Sequence, residues 1–307
     1  MTFDNNKVAI IGCGRVGMTA AYAIFLQGLA NEIVLLSRDK SKLLGEKLDL
    51  EHGLFFTAYS RVKITDDYQD LADSDIVIVV AGVAQAPGES RLDLAEHNVA
   101  IIEDIISQAV RYAPQAVYII VSNPVDILTY KAYQIAGLPK GQIFGSGTVL
   151  DSSRLRFHLG NMLGLNPKSI HAYILGEHGD SSFPVLSTAS VGGQNLSSLP
   201  RYSEAKAQRA YQQSKGAADK IIKAKGATYY AIATALAFMV KNIFEDSGVV
   251  LPVSVPLHGQ YGLSGVALSV PCIIGRHGVT EILEVKLSWE EKSQLSKSAA
   301  SLRRYLK

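Results

Sequence analysis

The sequence predicts an α/β protein with an N-terminal doubly wound parallel sheet and a C-terminal α+β domain. Short β-branched runs alternate with longer amphipathic segments through the first half, and several of these runs are apolar nearly throughout. Continuous apolar runs are typical of parallel strands that helices cover on both faces. The length of 307 residues also corresponds to two domains, at roughly 150 residues per domain.

The first half contains six predicted strands, separated by segments with helical periodicity. They are Lys7–Gly12, Glu32–Ser37, Val62–Thr65, Ile76–Gly82, Val117–Ser122 and Gln142–Gly147. Several of them carry apolar residues at successive positions, which a sheet with one solvated face does not require. We therefore expect these strands to form one parallel sheet with helices on both sides.

The second half has a different pattern, which begins with a long helix at about Asp151. Its further predicted elements are a strand at Ile170–Leu175, a polar serine-rich stretch at Leu186–Ser203, helical periodicity over Glu204–Glu245, turn-rich β signals over Val249–Gly275 and a charged closing helix at Ser288–Tyr305. Gly226 is the one weak point of the helical region. We predict two domains, at residues 1–146 and 147–307, which pack tightly because no Pro/Ser-rich linker separates them.

Composition excludes several classes of protein. Apolar residues make up 48% of the chain and charged residues 19%, a balance that excludes disordered and fibrous proteins. The net charge of +2, without a dense basic block, predicts no nucleic-acid partner. Cys13 and Cys272 are too few for a disulfide framework or a metal site, which fits a reducing cytoplasm. Neither a signal peptide nor a membrane span is predicted.

A glycine-rich motif follows the first predicted strand. Gly12, Gly14 and Gly17 form the pattern G-x-G-x-x-G between a strand and a helix. The first glycine permits a tight turn, the second lets the backbone approach a pyrophosphate, and the third lets the helix pack closely on the strand. Backbone N–H groups at the helix N-terminus then face the anion. The motif predicts a Rossmann dinucleotide-binding domain; a glycine-rich turn without a ligand is the alternative.

An uncharged residue occupies the position that normally binds the ribose. In dinucleotide-binding folds an acidic residue about 20 positions after the motif, at the end of the second strand, binds the ribose hydroxyls. Here Ser37 and Arg38 stand at that place. A hydroxyl beside a guanidinium can bind a 2′-phosphate, so the pair predicts use of NADP(H). The alternative is that Arg38 covers the adenine ring and Asp39 assists at the ribose of NAD(H).

Two short segments of the second half, Leu150–Arg156 and His171–Asp180, contain an acid, a base and a cation. Asp151 and Arg154 are three positions apart and therefore share one face of a helix. If Asp151 accepts the Nδ1 hydrogen of His178, it fixes the tautomer of that histidine, raises its pKa and leaves Nε2 to exchange a proton with a substrate oxygen. Arg154 can bind a carboxylate through two hydrogen bonds. Beside a dinucleotide fold, this set predicts hydride transfer to a 2-oxo acid, although an isolated loop histidine is more often structural.

Six motifs occur along the chain in a fixed order. They are Gly12–Gly17, Ala81–Arg91, Val121–Asp126, Leu150–Arg156, Gly176–Asp180 and Lys225–Tyr230. Through them the chain resembles the lactate/malate dehydrogenase family over nearly its whole length, and bacterial L-lactate dehydrogenases most of all. The resemblance implies that His178 and Asp151 form the acid/base pair, that Arg154 binds the substrate carboxylate, and that Asn123 hydrogen-bonds the substrate oxygen near the nicotinamide.

The resemblance also implies a mobile lid at Val83–Arg91. Its Ala-Pro-Gly sequence suits a segment that closes over the substrate, and Arg91 would polarise the ketone as negative charge develops. Taken without the family, an arginine in a polar loop is more often a solvated charge. The residues implied to bind the cofactor, NAD(H) with NADP(H) as the open alternative, are Gly12, Gly14, Val16, Gly17, Ser37, Arg38, Gly82, Val121 and Asn123.

One lid position separates substrates within the family that the chain resembles. Lactate enzymes have a neutral Gln there and malate enzymes an Arg, and this chain has Gln85. A neutral residue would leave the second carboxylate of oxaloacetate unpaired in a closing, water-poor site. Thr228 matches the position that lines the same side of the substrate. The resemblance therefore implies pyruvate and L-lactate; a malate or broader 2-hydroxy acid dehydrogenase is the alternative, and a non-catalytic dinucleotide-binding protein is a rival from another class.

Two further residues match an effector site. Arg156 and His171 match positions that bind fructose-bisphosphate across a subunit interface in the bacterial enzymes that the chain resembles. Two cations from each of two chains would concentrate positive charge, so that a bound bisphosphate would favour the active arrangement of subunits. The resemblance thus implies an allosteric homotetramer, a dimer of dimers, that reduces pyruvate from glycolysis in the cytoplasm. The alternative is that both residues are ordinary interface or surface residues.

Overall fold

The structure is a computed structural model that describes residues 6–83 and 91–306, the second range with side chains from residue 94 onward. Within these ranges the chain forms a nine-stranded mixed sheet, a three-stranded antiparallel sheet and helices that pack against them. This arrangement confirms the predicted α/β fold with an N-terminal doubly wound parallel sheet and a C-terminal α+β part.

Six parallel strands form the N-terminal part of the large sheet. They are β1 (Lys7–Ile11), β2 (Glu32–Leu36), β3 (Arg61–Thr65), β4 (Ile76–Val79), β5 (Val117–Ile120) and β6 (Ile143–Gly145). Their spatial order is β3-β2-β1-β4-β5-β6, and each neighbouring pair is parallel. The order reverses between β1 and β4, and open parallel sheets bind ligands at such a switch point, beyond the carboxyl ends of the strands.

All six predicted strands are present, but the fourth and the sixth are each three residues shorter than expected. The sequence predicts a strand over Ile76–Gly82, whereas β4 ends at Val79. The backbone N–H groups of Val80 and Ala81 both donate to the carbonyl of Ile11, so the chain leaves the sheet at this point. The residues that follow are thereby free to line the switch point.

Five helices connect and cover these strands. They are α1 (Arg15–Leu26), α2 (Lys40–His52), α3 (Arg91–Tyr112), α4 (Val125–Ala136) and α5 (Val149–Leu163). On β1, Val8 and Ile10 pack in the same core cluster as Ile24 of α1, whereas Ala9 and Ile11 pack in a second cluster with α3. Both faces of the strand are therefore buried, which explains why its sequence shows no alternation of apolar and polar residues.

The second half of the chain contributes strands to both sheets. The small sheet consists of β7 (Ile170–Leu175), β8 (Phe183–Val191) and β9 (Gln194–Asn195), and the large sheet continues with β10 (Val249–His258), β11 (Ser264–Gly275) and β12 (Gly278–Ile282). Strand β10 pairs with β6 between Ser254 and Gly145, so one sheet joins the two halves. This agrees with the expected tight packing; the division between residues 146 and 147 remains a prediction.

The polar serine-rich stretch at Leu186–Ser203 is not irregular throughout, because β8 continues to Val191. Val185 and Ala189 are buried while Ser187 and Thr188 are exposed. The pairing of β8 with β7 shifts register in this segment, and the exposed serine and threonine residues conceal the buried positions on either side of them.

The remaining helices are α6 (Glu204–Lys215), α7 (Ala217–Lys225), α8 (Tyr230–Phe244) and α9 (Trp289–Arg303). The predicted break at Gly226 is confirmed, since this residue ends α7 with a left-handed φ of +84°. A second break at Gly216, between α6 and α7, is not apparent from the periodicity. In the described part of the chain, no helix is long and apolar enough to cross a membrane.

The closing helix α9 confirms the prediction for Ser288–Tyr305 and is fixed at its start by a capping box. The Ser288 hydroxyl accepts a hydrogen bond from the N–H of Glu291, and the Glu291 carboxylate accepts one from the N–H of Ser288. The same carboxylate also accepts hydrogen bonds from the N–H groups of Leu186 and Ser187. The start of α9 is thereby attached to β8.

Candidate active site

A cavity of about 390 Å³ lies beyond the carboxyl ends of β4, β5 and β6 and is lined by both halves of the chain. The predicted site residues that line it are Val16, Gly82, Val121, Asn123, Arg154, His178 and Thr228. The structure therefore brings cofactor, substrate and proton-transfer candidates together in one cavity, at the edge of the sheet where parallel α/β folds bind ligands.

The three glycines of the motif have different structural roles. Gly12 has a φ of +101°, and a Cβ atom there would lie 2.4 Å from the backbone nitrogen of Ala81. A Cβ atom at Gly17 would lie 2.1 Å from the carbonyl oxygen of Gly12. Both glycines are therefore required by the fold itself. At Gly14 a Cβ atom would meet no atom within 4 Å, and the open space at the start of α1 fits the diphosphate of a dinucleotide.

The end of β2 presents a hydroxyl and a guanidinium to solvent. Ser37 is half-buried and its N–H donates to the carbonyl of Thr65, while Arg38 is exposed. Asp39 caps α2: its Oδ1 accepts hydrogen bonds from the N–H of Lys42 and the hydroxyl of Ser41 at 3.2 and 2.8 Å. The bond from Lys42 is the largest reason why the pKa of Asp39 lies below its usual value. One carboxylate oxygen of Asp39 is therefore already engaged.

Asp151 is hydrogen-bonded both to His178, the predicted proton donor, and to Arg154, the residue predicted to bind the substrate carboxylate. It lies in the first turn of α5, where its Oδ2 is 2.6 Å from Nδ1 of His178 and its Oδ1 is 3.1 Å from Nη1 of Arg154. Arg154 is on the same helix three residues later, as the spacing predicts. His178 and Arg154 both line the cavity. The arrangement directs Nε2 of His178 and the rest of the Arg154 guanidinium to the substrate space.

Electrostatics favour the charged forms of this pair. Burial alone would lower the pKa of His178, but the carboxylate of Asp151 raises it to about 9. Burial also opposes the charge of Asp151, yet His178 and Arg154 hold the pKa of its carboxyl below the usual value. At neutral pH the histidine therefore carries a proton that it can donate to a substrate oxygen.

Asn123 lies at the rim of the same cavity and is held by a buried neighbour. The backbone carbonyl oxygen of Asn123 accepts a hydrogen bond of 2.7 Å from Nδ2 of Asn98. Asn98 is a residue of α3 and is 1% exposed. The side chain of Asn98 also exchanges hydrogen bonds with the backbone of Val83, the first residue of the predicted lid. The sequence reasoning missed Asn98. Its only signal is an amide in the buried stripe of an amphipathic helix, which requires a partner.

Two predicted site residues are not placed by the structure. Gln85, the predicted specificity residue, lies outside the described residues. Arg91 is the first residue of α3, but its side chain also lies outside the described part. Thr228 is half-buried in the connection between α7 and α8 and lines the cavity.

Asp126 is a buried carboxylate that the sequence reasoning left without a role. It lies in the first turn of α4 and is 2% exposed. Its Oδ2 accepts a hydrogen bond of 2.7 Å from the backbone N–H of His178, and its Oδ1 accepts one of 2.6 Å from the hydroxyl of Ser254. Burial raises its pKa to about 6. The signal that could have found it is a charged residue between apolar ones at the start of a buried helix.

Arg156 of α5 and His171 of β7, an edge strand of the small sheet, lie outside this cavity. The Nε of Arg156 donates to the carbonyl of Ala172 at 2.9 Å, and its Cζ lies 5.1 Å from the centroid of the Tyr173 ring. His171 is exposed and, together with Tyr173 and Lys286, lines a separate cavity of about 280 Å³. Arg156 therefore contacts the two residues that follow His171 on β7.

Comparison with protein families gives two matches that together cover almost the whole chain. Residues 6–145 match the NAD binding domain of lactate/malate dehydrogenase, and residues 148–307 match the alpha/beta C-terminal domain of the same enzymes.

Curated proteins and solved structures are similar over the same length. The chain is 45% identical over 300 residues to an L-lactate dehydrogenase of Thermoanaerobacter pseudethanolicus, with 96% of each chain covered. It is 41% identical over 307 residues to an L-lactate dehydrogenase of Lacticaseibacillus casei, with 99% of this chain and 94% of that one covered.

Two solved structures have nearly the same fold. A lactate dehydrogenase from a Medee basin deep-sea metagenome library superimposes with a TM-score of 0.95 at 39% identity. A minor L-lactate dehydrogenase from Enterococcus mundtii superimposes with a TM-score of 0.94 at 38% identity. Each match covers 98% of both chains.

Proposed function

Because the chain belongs to the lactate/malate dehydrogenase family, we propose that it is an NAD-dependent L-lactate dehydrogenase that interconverts pyruvate and L-lactate. The observation that carries the proposal is the hydrogen-bonded set of His178, Asp151 and Arg154. His178 and Arg154 line one cavity together with Val16 of the glycine motif and with residues at the strand ends. The names of the similar proteins support the choice of lactate.

The reduced cofactor, when bound, supplies the hydride that converts the ketone carbon of pyruvate into the alcohol of lactate. Three features support its binding here: open space at Gly14, the turn at Gly12, and the cavity lining by Val16, Gly82 and Val121. These residues position the dinucleotide at the switch point and exclude water from its reactive end.

Arg154 binds the carboxylate of the 2-oxo acid. One of its N–H groups is engaged by Asp151, which fixes the plane of the guanidinium and leaves its other edge for a two-pronged contact. The side chain of Arg154 is 13% exposed, so the contact forms in a partly desolvated place, where it is strong. Asn123 and Arg91 would complete the grip on the ketone oxygen.

His178 donates a proton to the ketone oxygen as the alcohol forms and takes it back in the reverse direction. The hydrogen bond from Nδ1 to Asp151 fixes the ring and the tautomer, so that Nε2 is the atom that exchanges the proton. The carboxylate of Asp151 stabilises the imidazolium before transfer.

Pyruvate is the proposed substrate because Gln85 would leave a second carboxylate unpaired. Thr228, which lines the cavity, supports this by offering a hydroxyl and a methyl group but no charge. A malate or broader 2-hydroxy acid dehydrogenase is the alternative. Use of NADP(H) is a further part of the proposal and rests on half-buried Ser37 and exposed Arg38, which stand where an acidic residue usually binds the ribose.

The first experiment measures the reduction of pyruvate and of oxaloacetate with NADH. We expect kcat/KM for pyruvate to exceed that for oxaloacetate by about 10²-fold, and Gln85→Arg to raise oxaloacetate turnover. A His178→Asn variant should lose about 10²- to 10⁴-fold in kcat/KM. Preferred turnover of oxaloacetate by the unmodified protein would overturn the choice of substrate, and full activity of His178→Asn would overturn the mechanism.

Activation by fructose-bisphosphate and assembly into a homotetramer, a dimer of dimers, are also part of the proposal. The proposal is supported by Arg156, which contacts Ala172 and Tyr173, and by His171, which is exposed on the same strand as those two residues. Phe55 and Phe56 are 90% and 82% exposed with ring centroids 5.2 Å apart. Such a patch is typical of a protein interface.

Buried free thiols at Cys13 and Cys272 agree with the proposed cytoplasmic location.

The effector proposal is tested with pyruvate saturation curves in the presence and absence of fructose-bisphosphate, together with sedimentation. The expected result is half-saturation at a lower pyruvate concentration when the bisphosphate is present, and loss of that shift in His171→Gln. Lys168→Gln, which removes a nearby exposed cation, is the matched control and should keep the shift. Identical curves for the unmodified protein with and without the bisphosphate would overturn this part.

A further inference from the structure

The loop that carries His178 is attached through three consecutive backbone N–H groups. Gly176 donates to the carbonyl of Ser269 on β11 at 3.0 Å. Glu177 donates to the hydroxyl oxygen of Ser298 on α9 at 2.7 Å, and His178 donates to the carboxylate of Asp126 on α4 at 2.7 Å. Three separate elements therefore fix the backbone around the histidine, and of these three acceptors only the Asp126 carboxylate is an acid.

Burial raises the pKa of Asp126, but its hydrogen bonds and the charge of His178 oppose this effect and favour the ionised carboxylate. Both of its oxygens accept hydrogen bonds, one from His178 N–H and one from the Ser254 hydroxyl. Its place in the first turn of α4 adds the favourable field of a helix N-terminus. Among the residues that the structure describes, no Lys or Arg forms an ion pair with it. The positive charge that faces Asp126 is therefore that of protonated His178.

Two carboxylates, those of Asp151 and Asp126, raise the pKa of His178, and the guanidinium of Arg154 lowers it. Asp151 and Arg154 of α5 both face the imidazole, and Arg154 opposes its protonation. Asp151 is hydrogen-bonded to both cations and cannot neutralise both. Asp126 supplies the second negative charge from α4. The other acids of this loop are Glu177, whose carboxylate accepts a hydrogen bond from the Ser181 hydroxyl, and Asp180, which is exposed.

We propose that Asp126 is a positioning residue for His178, which holds its backbone and keeps its imidazole protonated for proton donation to the substrate oxygen. This inference rests on the proposed function of His178. A buried charge without a cation of its own costs free energy unless a protonated partner compensates for it. The folded protein therefore couples the charge of Asp126 to that of the histidine.

The test is Asp126→Asn, which removes the charge and keeps the shape. The amide oxygen can still accept from His178 N–H, and the amide nitrogen can donate to the Ser254 oxygen. Pyruvate reduction is followed against pH, and in parallel the imidazole signal of His178 is titrated by NMR in the free protein, identified by its loss in His178→Asn. We expect the alkaline midpoint of kcat/KM and the imidazole midpoint to move down together, by about one pH unit.

Ser298→Ala is the matched control, because it removes a neutral acceptor from the adjacent N–H group. It should lower kcat if the loop loosens but leave the imidazole midpoint in place. Midpoints of Asp126→Asn equal to those of the unmodified protein would overturn the proposal, even when pyruvate reduction and its dependence on His178 are intact. Absence of pyruvate reduction in the unmodified protein would instead contradict the proposed function.

A measurement on the unmodified protein keeps the proposal testable if Asp126→Asn does not fold. The side-chain carboxyl signal of Asp126 is followed by NMR in protein labelled with ¹³C at aspartate. The proposal requires Asp126 to be ionised throughout the pH range in which His178 loses its proton. A protonated Asp126 in that range would overturn it.

Discussion

The two ends of the cleft differ in how completely their polar groups are satisfied. At the proton-transfer end, Asp151 has partners on both oxygens, and the N–H of His178 is bonded to Asp126. At the nucleotide end, the side chains of Ser37 and Arg38 make no hydrogen bond to another residue in the part of the chain that the structure describes. Gly14 there faces open space. Groups that stabilise charge during a reaction must be oriented beforehand, whereas groups that recognise a ligand keep their donors for it.

The largest expected effect comes from Asp151→Asn at the proton-transfer end. The amide cannot stabilise the imidazolium as a carboxylate does, and it leaves Arg154 without its ion pair. We expect kcat/KM for pyruvate to fall by about 10³-fold, while the dissociation constant of NADH, measured by fluorescence titration, changes little. A comparable loss of NADH affinity would show that the two ends are not independent.

The second prediction separates ligand recognition from folding within the glycine motif. In Gly17→Ala the new methyl group would clash with the Gly12 carbonyl, and we expect a loss of about 1–3 kcal/mol in the free energy of unfolding, measured with urea. In Gly14→Ala the methyl group enters open space, so stability should be unchanged while NADH binding weakens by roughly tenfold. Unchanged NADH affinity in Gly14→Ala would remove this space from the proposed diphosphate site.

The same contrast explains what the sequence could predict. The six parallel strands and the roles of Gly12 and Gly17 follow from local pattern, because two-sided burial and a tight turn restrict residue types at short spacing. The pairing of Asp151 with Arg154 follows from helix geometry. The contact between Asp151 and His178 joins residues 27 positions apart, and it was predicted from chemistry and family resemblance.

Asp126 shows why other parts of the site could not be predicted. Its partners, His178 and Ser254, are 52 and 128 positions away along the chain. No local pattern connects an acid in α4 with a serine in β10, because the contact exists only after β10 joins the sheet beside β6. The strand β8 was missed for a related reason, since its buried positions become apparent only when the helices that cover it are known.

The third prediction concerns the adenosine end. Ser37→Asp places a carboxylate where a 2′-phosphate would lie, next to Arg38. We expect the ratio of kcat/KM with NADPH to that with NADH to fall by roughly tenfold, through repulsion of the phosphate and a better grip on the ribose hydroxyls. Arg38→Gln should lower the same ratio by removing the cation. If neither variant changes the ratio, the pair does not determine cofactor choice.

The smallest expected effect is a pH dependence of stability that only the proton-transfer end produces. Asp151, despite opposing burial, raises the pKa of His178 from 6.5 to about 9 in the folded protein. The stabilisation that this proton gives is therefore fully present below about pH 6.5 and is lost as the pH rises through about 9. The difference in Tm between the unmodified protein and His178→Gln should thus shrink over this interval by a few degrees.

Arg38→Gln is the control at the nucleotide end, where arginine keeps its charge throughout, and its Tm difference should stay constant. A constant difference for His178→Gln as well would mean that folding does not hold the proton on the histidine, and the contrast between the two ends would lose its electrostatic basis.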